Sequence, residues 1–138
     1  MRRPTLALLA LLGAATAFAG CGKSDSEAAG DAVVSYLKAF AAGDGEKACD
    51  RLTDETKKVI VPQVGRTVGA RDCPAAIKAL RTRLTVPQVD GFKRATATRV
   101  KVRGDVAEVR FRAGPLRGAA ELRKAGGNWK ISLLPRAR

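Results

Sequence analysis

The sequence predicts an α+β domain in which N-terminal helices pack on a C-terminal, antiparallel four-stranded sheet. Three observations carry this. Apolar residues recur at helical spacing as far as Leu84. From Thr96 onward they alternate with charged residues, the period of a strand with one buried face. Gly104-Asp105 and Gly126-Gly127 stand where two of the alternating runs must reverse. The chain has 138 residues, room for one small domain, and its 46% hydrophobic and 28% charged residues suit a folded chain.

The first helix is predicted over Asp31–Ala42. Val33, Val34, Leu37, Phe40 and Ala41 form its apolar stripe, Lys38 lies opposite, and Gly43 supplies a C-terminal stop. Asp44 is placed to cap a short helix from Gly45 to Leu52 that buries Ala48, Cys49 and Leu52. Thr53-Asp54-Glu55-Thr56 reads as a further helix start, running through Val59 and Ile60 until Pro62 interrupts it. Gln63 to Arg71, with two glycines, reads as a loop. Asp72 caps a helix over Pro74–Leu84, with Ile77, Leu80 and Leu84 on one face and Pro74 in the first turn.

The period changes after Pro87. A two-residue turn at Gly104-Asp105 pairs Arg103 with Val106, Val102 with Ala107, Val100 with Val109 and Thr98 with Phe111. Lys101 then opposes Glu108, and Arg99 opposes Arg110, on the other face. Both strands agree on which face is apolar, which fixes the register. Gly114-Pro115 breaks the chain. Across Gly126-Gly127, Leu122 pairs with Ile131, Ala120 with Leu133 and Lys124 with Trp129. One sheet face is expected against the helices and the other in solvent.

The N-terminus reads as an address. Arg2 and Arg3 precede an uncharged run from Leu6 to Phe18, and Ala19, Gly20 and Cys21 follow, the layout of an export signal. As a helix that run reaches about 20 Å, against about 30 Å for a bilayer core. Phe18-Ala19-Gly20-Cys21 resembles the lipobox of bacterial lipoproteins, with Phe18 where leucine is usual. The resemblance implies cleavage before Cys21 and a diacylglycerol on its thiol. Residues 1–20 are then the signal, 21–30 a flexible tether, and 31–138 the domain. The expected location is the outer side of the cell membrane. Two or three acyl chains hold a protein there firmly, whereas one binds marginally.

Cys49 and Cys73 remain, an even pair in an oxidising compartment, and a disulfide is expected; two buried free thiols are the alternative. Histidine is absent. This excludes Ser-His and Cys-His nucleophiles and His-ligated metals. No cofactor and no metal site are expected.

The stretches FAAGDGEKACD, VKVRGDVAEVRF and AELRKAGGNWKI, in this order, resemble the nuclear-transport-factor-2-like superfamily, especially its small lipoprotein members. The similarity runs from about Asp31 to Leu134. It implies a curved, cone-like sheet around the helices, with a pocket between sheet and helices that Tyr36, Phe40 and Trp129 would line. The superfamily holds isomerases, cyclases and many non-enzymatic accessory domains, so fold alone does not choose. Its catalytic members use Tyr-Asp networks or Asp-His pairs. Tyr36 is the sole tyrosine, and a core position explains it equally. Asp31, Asp44, Asp54 and Asp72 stand at predicted helix starts and Asp105 in a turn. Glu108 and Glu121 fall on the solvent face, leaving Asp50 and Asp90 without a structural account. No catalytic constellation emerges, and the expectation is a protein that is not an enzyme.

Lys and Arg total 26 against 13 Asp and Glu, a formal net charge of +13. Arg99, Lys101, Arg103, Arg110, Arg112, Arg123 and Lys130 fall on the outer sheet face. Such a face suits a polyanion, and an ordinary solvated face is the alternative. An exported chain without outward aromatics is not expected to bind nucleic acid. Anionic lipids or acidic cell-wall polymers are the expected partners. Burying so charged a face costs too much for dimerisation, so a monomer is expected. The sequence therefore predicts a membrane-anchored binding or accessory module, acting through a sheet–helix pocket or the basic face. The alternatives are a pocket enzyme of isomerase or cyclase type, and an envelope protein that binds anionic polymers or lipids.

Overall fold

The computed structural model describes residues 22–137. The predicted signal 1–20 and Cys21 lie outside the described residues. Helices α1 (Asp25–Ala42), α2 (Gly45–Asp50), α3 (Asp54–Val68), α4 (Cys73–Arg81) and α5 (Val86–Lys93) come first. Strands β1 (Thr96–Arg103), β2 (Val106–Ala113), β3 (Leu116–Ala125) and β4 (Asn128–Ala137) follow and form an open antiparallel meander in the order β1-β2-β3-β4. The α+β class and the helices-then-sheet order are those the sequence predicts.

Helix α1 begins at Asp25, so most of the stretch read as a tether is helical. Ser24 is its N-cap: Glu27 N–H donates to Ser24 Oγ at 3.2 Å, and Ser24 N–H donates back to Glu27 Oε2 at 2.9 Å. Asp25 and Glu27 suit the positive end of the helix dipole. Ala29 and Gly30 are buried, and a Cβ on Gly30 would sit 3.2 Å from Ala97 Cβ. Close approach of α1 to β1 thus outweighs the low helix propensity of Gly30.

Helix α3 also departs from expectation. It runs through Pro62 to Val68 and stops at Gly69, which takes a left-handed φ of 72°. Pro62 is exposed, and so is Lys58, whose carbonyl loses its partner four residues on. On the solvent side of the helix that lost bond costs less than it would in the core, so the helix tolerates the proline. Helix α4 has the predicted Asp72 cap, with Ala75 N–H donating to Asp72 Oδ1 at 2.8 Å. It ends at Arg81, ahead of the predicted Leu84. Helix α5 was not foreseen. Its signature is Thr85-x-Pro87-Gln88: a capping box with Gln88, Thr85 N–H donating to Gln88 Oε1 at 2.9 Å, and proline in the first turn.

The β1–β2 register is the predicted one from Arg103↔Val106 to Arg99↔Arg110. It then slips, and Ala97, not Thr98, opposes Phe111. Thr98 is the extra residue of a bulge, which lets Ala97 face Gly30. Between β3 and β4, Leu122↔Ile131 and Lys124↔Trp129 are as predicted, but Leu133 opposes Glu121 instead of Ala120. The cause is a second irregularity at Ser132. Thr56 Oγ1 on α3 donates to the Ser132 carbonyl at 2.7 Å, and Ser132 Oγ donates to the Glu121 carbonyl at 3.2 Å. Beside it, Ile131 N–H donates to Arg51 O at 2.7 Å and Thr53 N–H to Ile131 O at 3.0 Å. The α2–α3 connection therefore pairs with β4 at Leu52↔Ile131, a short parallel bridge.

The core lies between the helices and the inner sheet face. Val33, Leu52, Ile60, Ile77, Val109, Leu122 and Ile131 are its largest fully buried side chains. Burying each stabilises the fold by about 1.5–3 kcal/mol. Cys49 on α2 and Cys73 on α4 form a disulfide, with Cα atoms 6.2 Å apart.

Candidate anion-binding face

The outer sheet face is organised in rows across the strands. Thr96, Arg112 and Arg117 oppose one another at one end. Arg99, Arg110 and Ala119 form the next row, then Lys101, Glu108 and Glu121. Arg103, Val106, Arg123 and Lys130 form the last, beside the hairpin turns. Strand alternation places these positions together, because every second residue on β2 (Ala107, Val109, Phe111, Ala113) is buried against the helices.

The two carboxylates divide the face. Glu108 takes an ion pair from Arg110 at 3.4 Å, and Glu121 one from Arg123 at 3.9 Å. Arg99, Lys101, Arg103, Arg112 and Arg117 have no carboxylate within ion-pair distance among the described residues. Two grooves open on this face. The larger, about 630 Å³, is lined by Thr98, Arg110, Arg112, Arg117 and Ala119 among others, and by the carboxylate-bearing Glu108 that Arg110 pairs with. The smaller, about 210 Å³, lies by Lys101, Arg103, Val106, Glu108 and Glu121.

All seven predicted basic residues occupy this sheet: three lie toward each end, and Lys101 lies between them in the row of Glu108 and Glu121. Arg99, Arg110 and Arg112 gather with Arg117, which sequence reasoning left out. Its parity with Ala119, Glu121 and Arg123 on β3 was the available signal. Arg103, Arg123 and Lys130 sit at the hairpin end, and Lys130 is half-buried.

Tyr36, Phe40 and Trp129 do not come together. Tyr36 stacks on Phe40 with ring centroids 6.1 Å apart, and Phe40 meets Phe92 of α5 edge-on at 6.0 Å. Burial pushes the Tyr36 phenol far above its ordinary pKa by desolvating the phenolate. Trp129 packs near the start of α1, where its Nε1–H donates to Asp25 Oδ1 at 3.1 Å. Asp25 and Tyr36 are roughly 16 Å apart along that helix. Neither groove is lined by any of these three aromatics.

Most of the aspartates singled out by the sequence are engaged structurally. Asp44 caps α2, accepting from Lys47 N–H at 3.1 Å, and the Lys47 ammonium holds its carboxyl below the usual range. Lys57 does the same for Asp54, which begins α3 one residue after the Thr53 cap. Asp31 lies inside α1, not at its start, and is ion-paired with Lys23. Asp50 is exposed and Asp90 half-buried. Among the described residues, no three His, Cys, Asp or Glu side chains gather into a metal-binding group, and no helix is long and apolar enough to cross a membrane.

Comparison with protein-family models, curated proteins and solved structures gave no match. The functional reading therefore rests on the geometry above.

Proposed function

We propose that this chain is an extracytoplasmic lipoprotein, lipidated on Cys21, that serves as a non-catalytic binding module through the basic outer face of its sheet. It keeps the resemblance to small lipoproteins with a nuclear-transport-factor-2-like domain. The observation that carries the reading is the charge of that face: its only carboxylates, among the described residues, are Glu108 and Glu121, and each is already engaged by an arginine. The remaining cations are available to an external anion.

Two further features support the reading. Val33, Leu37, Tyr36 and Trp129 fill the space between sheet and helices that a pocket enzyme would need open. Helix α1 starts at Asp25, so only residues 22–24 separate Cys21 from rigid structure, about 10 Å of extended chain. Lys124 Nζ donates to Asp25 Oδ1 at 2.8 Å, and Lys124 N–H donates to Asp105 O at 2.9 Å. The start of α1 is thus held beside the hairpin turns, which is where an acyl anchor on Cys21 would bring the membrane. Basic residues there, such as Arg103 and Arg123, gain about 1 kcal/mol each near an anionic surface.

The test combines intact mass of the protein from its own membranes with sedimentation on isolated cell-wall material at increasing salt. The expected result is cleavage before Cys21 plus diacylglycerol, and wall binding that falls as salt rises. An unlipidated mass overturns the anchor. Salt-insensitive binding, or none, overturns the role of the face.

A further inference from the structure

We propose that Arg99, Arg110, Arg112 and Arg117 form one recognition site for a phosphate group, and that its occupant is a phosphodiester polymer of the envelope. The inference deepens the reading above and rests on it for the polymer's location.

The four arginines surround one stretch of β2. Arg99 on β1 stands directly opposite Arg110, and Arg117 on β3 directly opposite Arg112. Directly opposed residues are about 5 Å apart at Cβ and diagonal ones about 7–8 Å. A long side chain spans either distance. Like charges in such pairs destabilise a sheet, and only Arg110 has a carboxylate, Glu108, to offset this. Four cations held together against a local rule mark a place where an external anion completes the arrangement.

Small residues make the room. Ala119 opposes Arg110, so beside that arginine β3 presents only a methyl group to the groove. The Thr98 bulge brings a further hydroxyl-bearing residue to its lining. A carboxylate has two oxygens, enough for one guanidinium fork. Several guanidinium forks within side-chain reach of one another suit the larger set of oxygens on a phosphate.

The position selects a polymer over the protein's own bilayer. Chain entry at Asp25 is tied through Lys124 to Asp105, beside Val106 at the start of β2. Arg112 lies about 20 Å farther along that strand. This exceeds the ~10 Å over which salt screens surface charge. A site at that distance from the chain entry suits a polymer that reaches along the sheet better than the headgroups next to the anchor.

The experiment uses the full chain in neutral detergent, titrated with inorganic phosphate, with soluble poly(glycerol phosphate), and with phosphatidylglycerol vesicles. Arginine Nε–H resonances identify the residues that respond. The expected result is that phosphate and polymer shift Arg99, Arg110, Arg112 and Arg117, and that Arg112→Gln with Arg117→Gln weakens polymer binding at least tenfold. The same double variant keeps or raises the melting temperature, since it removes a like-charge pair. Lys38→Gln with Lys58→Gln, an equal charge change on exposed helix positions, weakens polymer binding by less than threefold. Equal weakening by both double variants overturns the site in favour of bulk charge. Arg112 and Arg117 shifting only with vesicles overturns the polymer in favour of a membrane. Failure of these titrations leaves the lipid on Cys21, read by mass, untouched. An unlipidated chain that still binds phosphate fails the anchor alone.

Discussion

Trp129 and Asp25, 104 positions apart, are joined by a hydrogen bond from the indole Nε1–H to the carboxylate Oδ1 at 3.1 Å. Lys124 donates to the same oxygen and lies over the indole ring, 5.5 Å from its centroid. The Lys124 hydrogen bond, and then that of Trp129, hold the Asp25 carboxyl below its ordinary 3.8. A carboxyl with a lowered folded pKa adds stability that is present above its unfolded pKa and lost as pH falls through the folded one. Trp129 is the only tryptophan, so its fluorescence reports the contact. The emission should change with a midpoint below 3.8, and Asp25→Asn should remove that titration. A transition unchanged in the variant would rule out Asp25 as its source.

Reduction of the Cys49–Cys73 bond, or its replacement by alanines, should lower stability by roughly 3 kcal/mol, the loop-closure entropy for a ring of this size. The bridge spans 24 positions and joins two buried residues. Urea denaturation with and without reductant measures the loss. Equal midpoints would mean that α2 and α4 hold together without the bond.

Tyr36 should resist ionisation while the fold persists. Its phenol pKa is raised by desolvation, so the buried neutral form adds stability below the unfolded pKa of about 10, lost as pH rises. Absorbance at high pH should show Tyr36 ionising together with unfolding. Tyr36→Phe should cost under 1 kcal/mol, because the hydroxyl makes no hydrogen bond among the described residues, whereas Tyr36→Ala should cost about 3–5 kcal/mol. A tyrosine that titrates near 10 in the folded protein contradicts this placement.

Thr56→Val should destabilise the protein by about 1–3 kcal/mol. The substitution keeps the shape but removes the hydroxyl that donates to Ser132 O at 2.7 Å from a buried position. Thermal melting gives the sign, and an unchanged melting temperature would show that the β4 irregularity does not depend on α3.

Gly45→Ala should be more harmful than its place in the first turn of the short helix α2 suggests. A Cβ there would stand 2.3 Å from the Pro74 carbonyl oxygen and 2.8 Å from Pro74 Cα, both backbone atoms. The helices would have to separate, at a cost of about 1–3 kcal/mol. Refolding from the reduced state should form the Cys49–Cys73 bond more slowly than in the parent. A rate equal to the parent's would argue that α2 and α4 dock after the sulfurs meet.

Where local pattern and tertiary packing agree, the sequence is a sufficient guide. The Gly104-Asp105 hairpin, the Asp44 and Asp72 caps and the Gly43 stop follow from turn chemistry and period alone. Most of the misreadings trace to a contact with a distant segment, and the one at Pro62 to the lack of any. Gly30 and the charges around it read as tether until β1 and Trp129 are placed against them. Pro62 reads as a stop until it proves to face solvent. The slips at Thr98 and Ser132 answer to α1 and α3, which no strand pattern contains. The basic face was legible from alternation. Its division into two ends was not, because that depends on which row Glu108 and Glu121 share.

The disulfide encloses all of α3. Residues 49–73 form a closed covalent ring, with Arg51, Lys57, Lys58, Arg66 and Arg71 inside it. A trypsin-like protease that cuts once at any of these opens a circle and releases nothing. The nicked chain gains one water, keeps its sheet and its N-terminal helix in one molecule, and migrates as a single species until a reductant parts the fragments. Wherever reductants are scarce, the most cation-rich helix can be damaged without detaching either half of the protein.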